Sequence, residues 1–231
     1  MSDVVPGGPF VGPRVPNTWA IRWAAVPITD EGVARLRDRI EQLESRALAA
    51  EDHLAVANLQ RAYGFYVDKS QWEHVADLFA RDAVLEINGR GRFIGHERIR
   101  EYTRHFGPPK RGLLMNHLQL QPVIHVDPDG LHAHARVRAL MMVGQMGDHA
   151  MWGEAIYENE YLKEDGVWKI ARLKAWQVFY TPYDKGWAEE VSPLLSEFGD
   201  FPPDEPIAPY PVFPDYFCPP YHYRNPVSGR E

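Results

Sequence analysis

Apolar and polar side chains alternate with a period of two through most of residues 113–180, and this run constrains the fold more than any other part of the chain. Such a period sends successive side chains to opposite faces of a sheet. Four strand-like segments follow from it, Leu113–Val126, Leu131–Gln145, His149–Lys163 and Trp168–Tyr180. Asp127-Pro128-Asp129-Gly130 and Asp165-Gly166 are tight-turn sequences between them, which makes the segments an antiparallel meander. Strands of this length curve, and a bent sheet with helices over its mouth encloses a pocket.

The part before the meander is helical. Asp30 can cap a helix through about Ala50, with Val33, Leu36, Ile40 and Leu43 at three- and four-residue steps. Val56, Leu59, Tyr63 and Tyr66 form the stripe of a second helix that ends near Lys69. Ser70-Gln71-Trp72-Glu73 has the spacing of a capping box, opening a third helix through Phe79. Asn88-Gly89 is a type I′ hairpin signal between Val84–Ile87 and Arg92–Ile94, and a short helix over Glu97–Phe106 stops at Gly107-Pro108-Pro109. Helices first and a long meander after predict an α+β fold.

Three regions result. Residues 1–50 hold an extended Pro- and Gly-bearing arm, over 4–29, and a helix; residues 51–181 hold the α+β domain; residues 182–231 form a second arm. That second arm is rich in proline but also carries nine aromatic residues from Trp187 to Tyr223, more than a disordered tail would. It is expected to pack on its own domain or on a neighbouring subunit.

Composition narrows the function. With 25 Lys+Arg against 32 Asp+Glu the net charge is -7, and no basic cluster interrupts it, so nucleic acid is not an expected partner. The single cysteine, Cys218, rules out an intrachain disulfide and a thiolate metal site. The first residues lack the basic flank and apolar run of a signal peptide, and no run reaches membrane-spanning length. A soluble, cytoplasmic protein with no membrane partner is expected.

Taken together, the order of elements, Trp72…Val75-Ala76-Asp77-Leu78-Phe79…Asp82-Ala83 and the ending Gly166-Val167-Trp168-Lys169-Ile170 resemble the nuclear transport factor 2-like superfamily. The match is closest to its SnoaL-like branch, which includes polyketide cyclases, scytalone and bile acid dehydratases and cofactor-independent formaldehyde lyases of lignin-derived aromatics. The resemblance covers roughly Glu51 to Tyr180 and implies a cone-shaped, curved antiparallel sheet closed by N-terminal helices, with the two arms outside it.

Tyr63, Asp68 and His117 are similar to a dehydratase arrangement in which a helix tyrosine, a helix-end aspartate and a strand histidine line the cone. Those dehydratases add a carboxylate on the next strand; Arg136–Gln145 has none, which leaves that work to Asp68 or gives His117 another orientation. Asp68 lies about 140° round an ideal helix from Tyr63, so the two converge only where the helix ends. Read without the resemblance, Tyr63 is equally a core residue and Asp68 a solvated turn residue. His117 shares a face with Gln119 and Gln121, and histidine is the side-chain type suited to base chemistry near neutrality. His132 and His134 sit two apart on one strand without an evident third ligand, so no metal site is expected. Tyr66, Tyr157, Asn159, Trp176 and Tyr180 are candidates for the substrate wall. Arg138 is either an internal cation or a cross-sheet partner of Glu154 or Glu158.

The resemblance then implies a cofactor-independent acid–base lyase that eliminates water or formaldehyde from a hydrophobic, aromatic, hydroxylated small molecule. A double-bond isomerase or cyclase of steroid or polyketide type, and a non-catalytic small-molecule binder, are the alternatives. A homo-oligomer, trimer or dimer, is expected.

Overall fold

A computed structural model describes residues 29–231, so the arm expected over residues 4–29 lies outside the described residues except for Thr29. Two compact units separate, Met1–Leu43 and Glu44–Glu231. Helix α1 (Asp30–Asp68) is one element of 39 residues where two helices were expected. Nothing between Ala50 and Val56 interrupts it, since Glu51-Asp52-His53-Leu54-Ala55 contains neither glycine nor proline. Its N-cap is Thr29 rather than Asp30: the Thr29 hydroxyl accepts the Gly32 N–H at 3.0 Å. Leu36 and Ile40 of the first unit's stripe are exposed.

In the second unit, α2 (Trp72–Asp77) is followed by β1 (Phe79–Ile87), β2 (Gly91–Ile94), α3 (His96–His105), β3 (Leu113–Val126), β4 (His132–Gln145), β5 (His149–Glu164) and β6 (Val167–Pro182). The capping box does not form. Ser70 is in the left-handed region (φ 52°), and Gln71 precedes the helix without a side-chain cap. The hairpin after β1 forms with a three-residue loop, Asn88-Gly89-Arg90, in which Gly89 but not Asn88 has positive φ, which excludes a type I′ turn; Gly91, the first residue of β2, also has positive φ. Asp165 and Gly166 both have positive φ, as a two-residue type I′ turn requires.

One six-stranded sheet results, in the order β2-β1-β6-β5-β4-β3. The meander is antiparallel throughout, and β1 joins it by a parallel pairing to β6. The sheet is curved and unclosed. Its concave face, bearing Ala135, Val137, Ala139, Tyr157, Tyr161, Ile170 and Leu173, packs with Val56, Tyr63, Val75 and Phe79 into one buried cluster. Two bulges in the β5–β6 pairing, at Ala171 and Val178, insert an extra residue and reset which side chains face inward. No helix among the described residues is long and apolar enough to cross a membrane.

Residues beyond Pro182 wrap the same unit. Trp176 packs against Tyr210 and Phe217, and Phe179 against Trp187, on the convex face. Phe198 and Phe201 insert among Phe93, Tyr102 and Phe106, and Asp204 accepts the Ile94 N–H at 2.8 Å. Further on, the Arg136 guanidinium lies 3.9 Å from the Tyr221 ring centre while pairing with Glu158.

Glu86 is the most deeply buried charge in the sheet, with its side chain 1% exposed. Arg92 (3.0 Å), Arg172 (2.8 Å) and Lys174 (2.8 Å) surround it. Burial by itself would raise the carboxyl pKa, but the bonds from Lys174 and Arg172 outweigh that and hold it below its ordinary value. Its stabilising contribution is therefore complete above the ordinary glutamate range and is lost as pH falls through the lower native value. Replacement Glu86→Gln removes the buried counter-charge that three cations share, leaving Arg92 with Glu205, Arg172 with Glu160 and Lys174 with none among the described residues. A loss of about 2 kcal/mol is expected, between an exposed and a fully buried pair, and urea denaturation at pH 7 measures it. The loss shrinks as pH falls through the lowered native value of the carboxyl, where wild type surrenders the same interaction.

Candidate active site

Helix α1 ends at a tight turn: Ser70 N–H donates to Val67 and Gln71 N–H to Tyr66 (3.1 and 2.9 Å), with Ser70 in the left-handed conformation. This leaves Asp68 as the last helical residue. A carboxylate there meets the negative end of the helix dipole, an unfavourable place unless donors compensate. Two do. Asp68 Oδ1 accepts the backbone N–H of His117 at 2.7 Å and lies 3.2 Å from His117 Nδ1.

His117 is on β3, the edge strand, and its N–H and C=O face away from β4. Asp68 takes the first, and the Gln119 side chain donates to the second at 3.0 Å. Edge groups that would otherwise be open are thus satisfied. Gly64 makes the approach possible. A Cβ on it would sit 2.9 Å from the His117 carbonyl oxygen and 2.8 Å from Gln119 Cγ. Gln60 pins the same helix face, donating to Gln119 (2.7 Å) and accepting from Asn159 (2.9 Å) and Tyr161 (2.6 Å).

A carboxylate only accepts, so the His117 proton facing Asp68 is on Nδ1, and Nε2 keeps its lone pair as the basic atom. Side chains of His117 and Asp68 are 15% and 14% exposed, which limits competition from water. His117 lines a cavity of about 450 Å³ with walls from α1, α2, α3, the sheet and Ser192, Pro193 and Leu195 of the C-terminal arm. Trp72, Phe79, Phe106, Met115 and Met141 make it largely apolar.

Tyr63, Tyr102, Tyr157 and Tyr180 bring phenols into this cavity. Burial pushes all of their pKa values up, those of Tyr102 and Tyr180 to about 12. For Tyr63, burial and the neighbouring Tyr102 outweigh a hydrogen bond with Tyr157. At neutral pH the four are O–H donors, not phenolates. A general base beside several fixed donors can take a proton from one atom while another oxygen is protonated or stabilised.

Of the residues singled out in the sequence, Tyr63, His117, Tyr157 and Tyr180 meet in the cavity, and Asp68 stands behind His117. The other four lie elsewhere. Tyr66 stacks on His74, outside the wall. Arg138 pairs with Glu154 and donates to Gln121 on the convex face, the cross-sheet alternative. Asn159 is buried in the Gln60 network below the cavity. Trp176, expected on the same face as Tyr180, is on the opposite one, because the bulge at Val178 inverts the alternation between them. His132 and His134 pair with Asp129 and Asp127, and among the described residues no three ligating side chains converge.

Sequence reasoning missed Tyr102, Arg90 and the arm residues of the wall. Tyr102 had a signal, its place beside Ile99 and Thr103 on the buried face of α3. Arg90 and Ser192–Leu195 had none, since a turn arginine and a Pro-rich segment ordinarily face water. The role of Gly64 can be tested directly. Gly64→Ala should lose about 1–3 kcal/mol of stability through overpacking, measured by urea denaturation. It should also displace the His117 ring nitrogen resonances, which a distant overpacking defect would leave in place.

Comparison with known proteins agrees with this architecture. The family model of the SnoaL-like domain matches residues 48–174, more than half of the chain. Hexachlorocyclohexane dehydrochlorinase 1 of Sphingobium indicum is 26% identical over 62% of this chain and 88% of its own length. The crystal structure of a candidate scytalone dehydratase from Novosphingobium aromaticivorans superposes with a TM-score of 0.55 at 16% identity, over 67% of this chain and 97% of that one. LinA superposes with a TM-score of 0.54 at 21% identity, over 60% and 93%. At these identities the two structures speak to the fold alone. The cone-like sheet with its helical cover and the extent of the family match make this chain a member of the SnoaL-like domain family, within the nuclear transport factor 2-like superfamily.

Proposed function

We propose that the protein is a cofactor-independent lyase that eliminates water or formaldehyde from a hydrophobic, aromatic, hydroxylated substrate. The observation that carries this reading is the doubly held Asp68 carboxylate behind His117, at the wall of an apolar cavity furnished with protonated phenols. A relative named as a dehydrochlorinase supports an elimination, since the name denotes loss of a small molecule from adjacent carbons. The aromatic and methionine lining supports an aromatic substrate.

In the dehydratase form, His117 Nε2 takes a proton from carbon and the C–H electrons become the new double bond. The C–O bond breaks as Tyr63 or a neighbouring phenol donates its proton, and water leaves. Asp68 keeps the ring in its reactive tautomer and stabilises the imidazolium. Return of the proton from His117 to the phenolate restores the site. In the formaldehyde form, the base takes the proton of a hydroxymethyl O–H, the C–C bond breaks to release formaldehyde, and a phenol protonates the carbanion. Tyr157 and Tyr180 are the phenols that can share the donor role with Tyr63, since Tyr66 lies outside the cavity wall.

Mass spectrometry of purified protein with hydroxylated diaryl and phenolic compounds, without added cofactor, tests the reading. A product lighter by water or formaldehyde is expected. His117→Ala should lower kcat by about 10²–10⁴-fold with the fold intact by circular dichroism. A product of unchanged mass with a shifted spectrum would make the protein an isomerase or cyclase, and retained, unaltered ligand would make it a binding protein. Assembly as a homotrimer is proposed alongside, supported by Leu118 and Leu120, 39% and 37% exposed on the edge strand. Light scattering should give three chains; a monomer removes the proposal.

A further inference from the structure

The cavity has an uneven charge. The chain carries a net charge of -7, yet among the described residues no aspartate or glutamate lines the cavity. Among the described residues Arg90 is the one permanent cation there, with His117 and His149 the other basic side chains. Neighbouring arginines of the surface have carboxylate partners: Arg92 has Glu86 and Glu205, Arg98 has Glu101 and Asp204, Arg100 has Glu73. Arg90 has none among the described residues. Its guanidinium instead lies 3.8 Å from the ring centre of Phe198 and 5.8 Å from that of Phe106.

Its position is built. The loop Asn88-Gly89-Arg90 closes with the Arg90 N–H donating to Ile87 at 2.8 Å. Gly89, at φ 84°, is pressed so closely on the arm that a Cβ would sit 1.9 Å from the Leu195 carbonyl oxygen. Phe198, which carries the guanidinium, is three residues further along that arm. Tyr102 and Tyr180 are near enough for the Arg90 charge to act on both phenols, against the burial that raises their pKa values. Neither phenol has a strong acceptor among the described residues. The Tyr180 hydroxyl donates to Met141 Sδ at 3.2 Å, and a thioether accepts weakly.

A guanidinium and two phenol O–H groups thus converge on an apolar space without an anion to receive them. Donors so placed have a strong preference for an ionised acceptor, and a guanidinium fork matches the planar geometry of a carboxylate. We infer that the cavity selects an aromatic carboxylate, its carboxylate held by Arg90 with Tyr102 and Tyr180, and its ring against the apolar wall. The inference rests on reading the cavity as the substrate site and adds the charge of the substrate. Arg90 is then a specificity-determining residue, distinct from the base that does the chemistry.

The test compares binding of trans-cinnamate and trans-cinnamamide, matched in shape and different in charge, by titration calorimetry at low salt. Wild type should bind the carboxylate at least about tenfold more tightly. Arg90→Gln should bring the ratio near one while leaving the affinity for the amide unchanged, which also shows that the cavity remains formed. Arg90→Lys should keep part of the preference. Equal binding of the two compounds by wild type, no measurable binding of cinnamate at millimolar concentration, or a preference that survives Arg90→Gln would each overturn the inference. Because the readout is binding, the two readings fail separately. An Arg90-dependent preference in a protein that turns nothing over removes the lyase and keeps the anion subsite. Turnover confined to neutral compounds and indifferent to Arg90 does the reverse.

Discussion

The contact between the Asp68 carboxylate and the edge of β3 answers three demands at once, and the cavity is arranged around it. A carboxylate closing a long helix needs donors to offset the helix dipole. An edge strand needs partners for backbone groups that no neighbouring strand can reach. A histidine that presents one free ring nitrogen to a cavity needs the other protonated and held. One oxygen of Asp68 supplies all of these through the His117 N–H and Nδ1. The distance of closest approach is then set by Gly64, whose missing side chain lets the helix backbone come against the His117 carbonyl. Gln60, Asn159 and Tyr161 hold the same helix to the floor of the sheet through a buried hydrogen-bond network. His117 and Asp68 therefore sit between two rigid elements, neither of which can shift without breaking backbone contacts.

The rest of the cavity comes from segments far apart in the chain. Helices α2 and α3 cover one side, the curved sheet the other, and the C-terminal arm completes the wall with Ser192, Pro193 and Leu195. The arm is fastened at two ends. Trp176, Tyr210 and Phe217 bind it to the convex face, while Phe198, Phe201 and Asp204 bind it to the β1–β2 hairpin and α3. Its aromatic residues pack on this chain's own domain, and they shape the site by supporting Arg90 and the loop that presents it. An arm of this kind makes the lining as much a product of residues outside the SnoaL-like match as of those inside it.

Much of the fold is legible in the sequence because it depends on short-range patterns. The four meander strands fall within a few residues of their expected bounds, since the two-residue period and the turn residues are local properties. The errors are local too, and each has a competing contact behind it. Asn88-Gly89 adopts another turn because Gly89 must fit beneath Leu195, and Ser70 turns left-handed to close α1 instead of capping α2. One helix stands where two were read because charged residues between apolar stripes do not break a helix.

By itself, the sequence determined the order of elements, the α+β class and the meander, and it singled out Tyr63, Asp68 and His117, which the fold brings to one end of the cavity. Only the tertiary structure decided which face each strand residue takes after a bulge, which is why Tyr180 reaches the cavity and Trp176 does not. It also decided that Arg138 is a convex-face ion pair while Arg90 is an interior cation, a distinction no local pattern carries. The reason is physical. Alternation and turn chemistry are properties of a few successive residues, whereas burial, pairing and charge balance depend on what the folded chain brings opposite them.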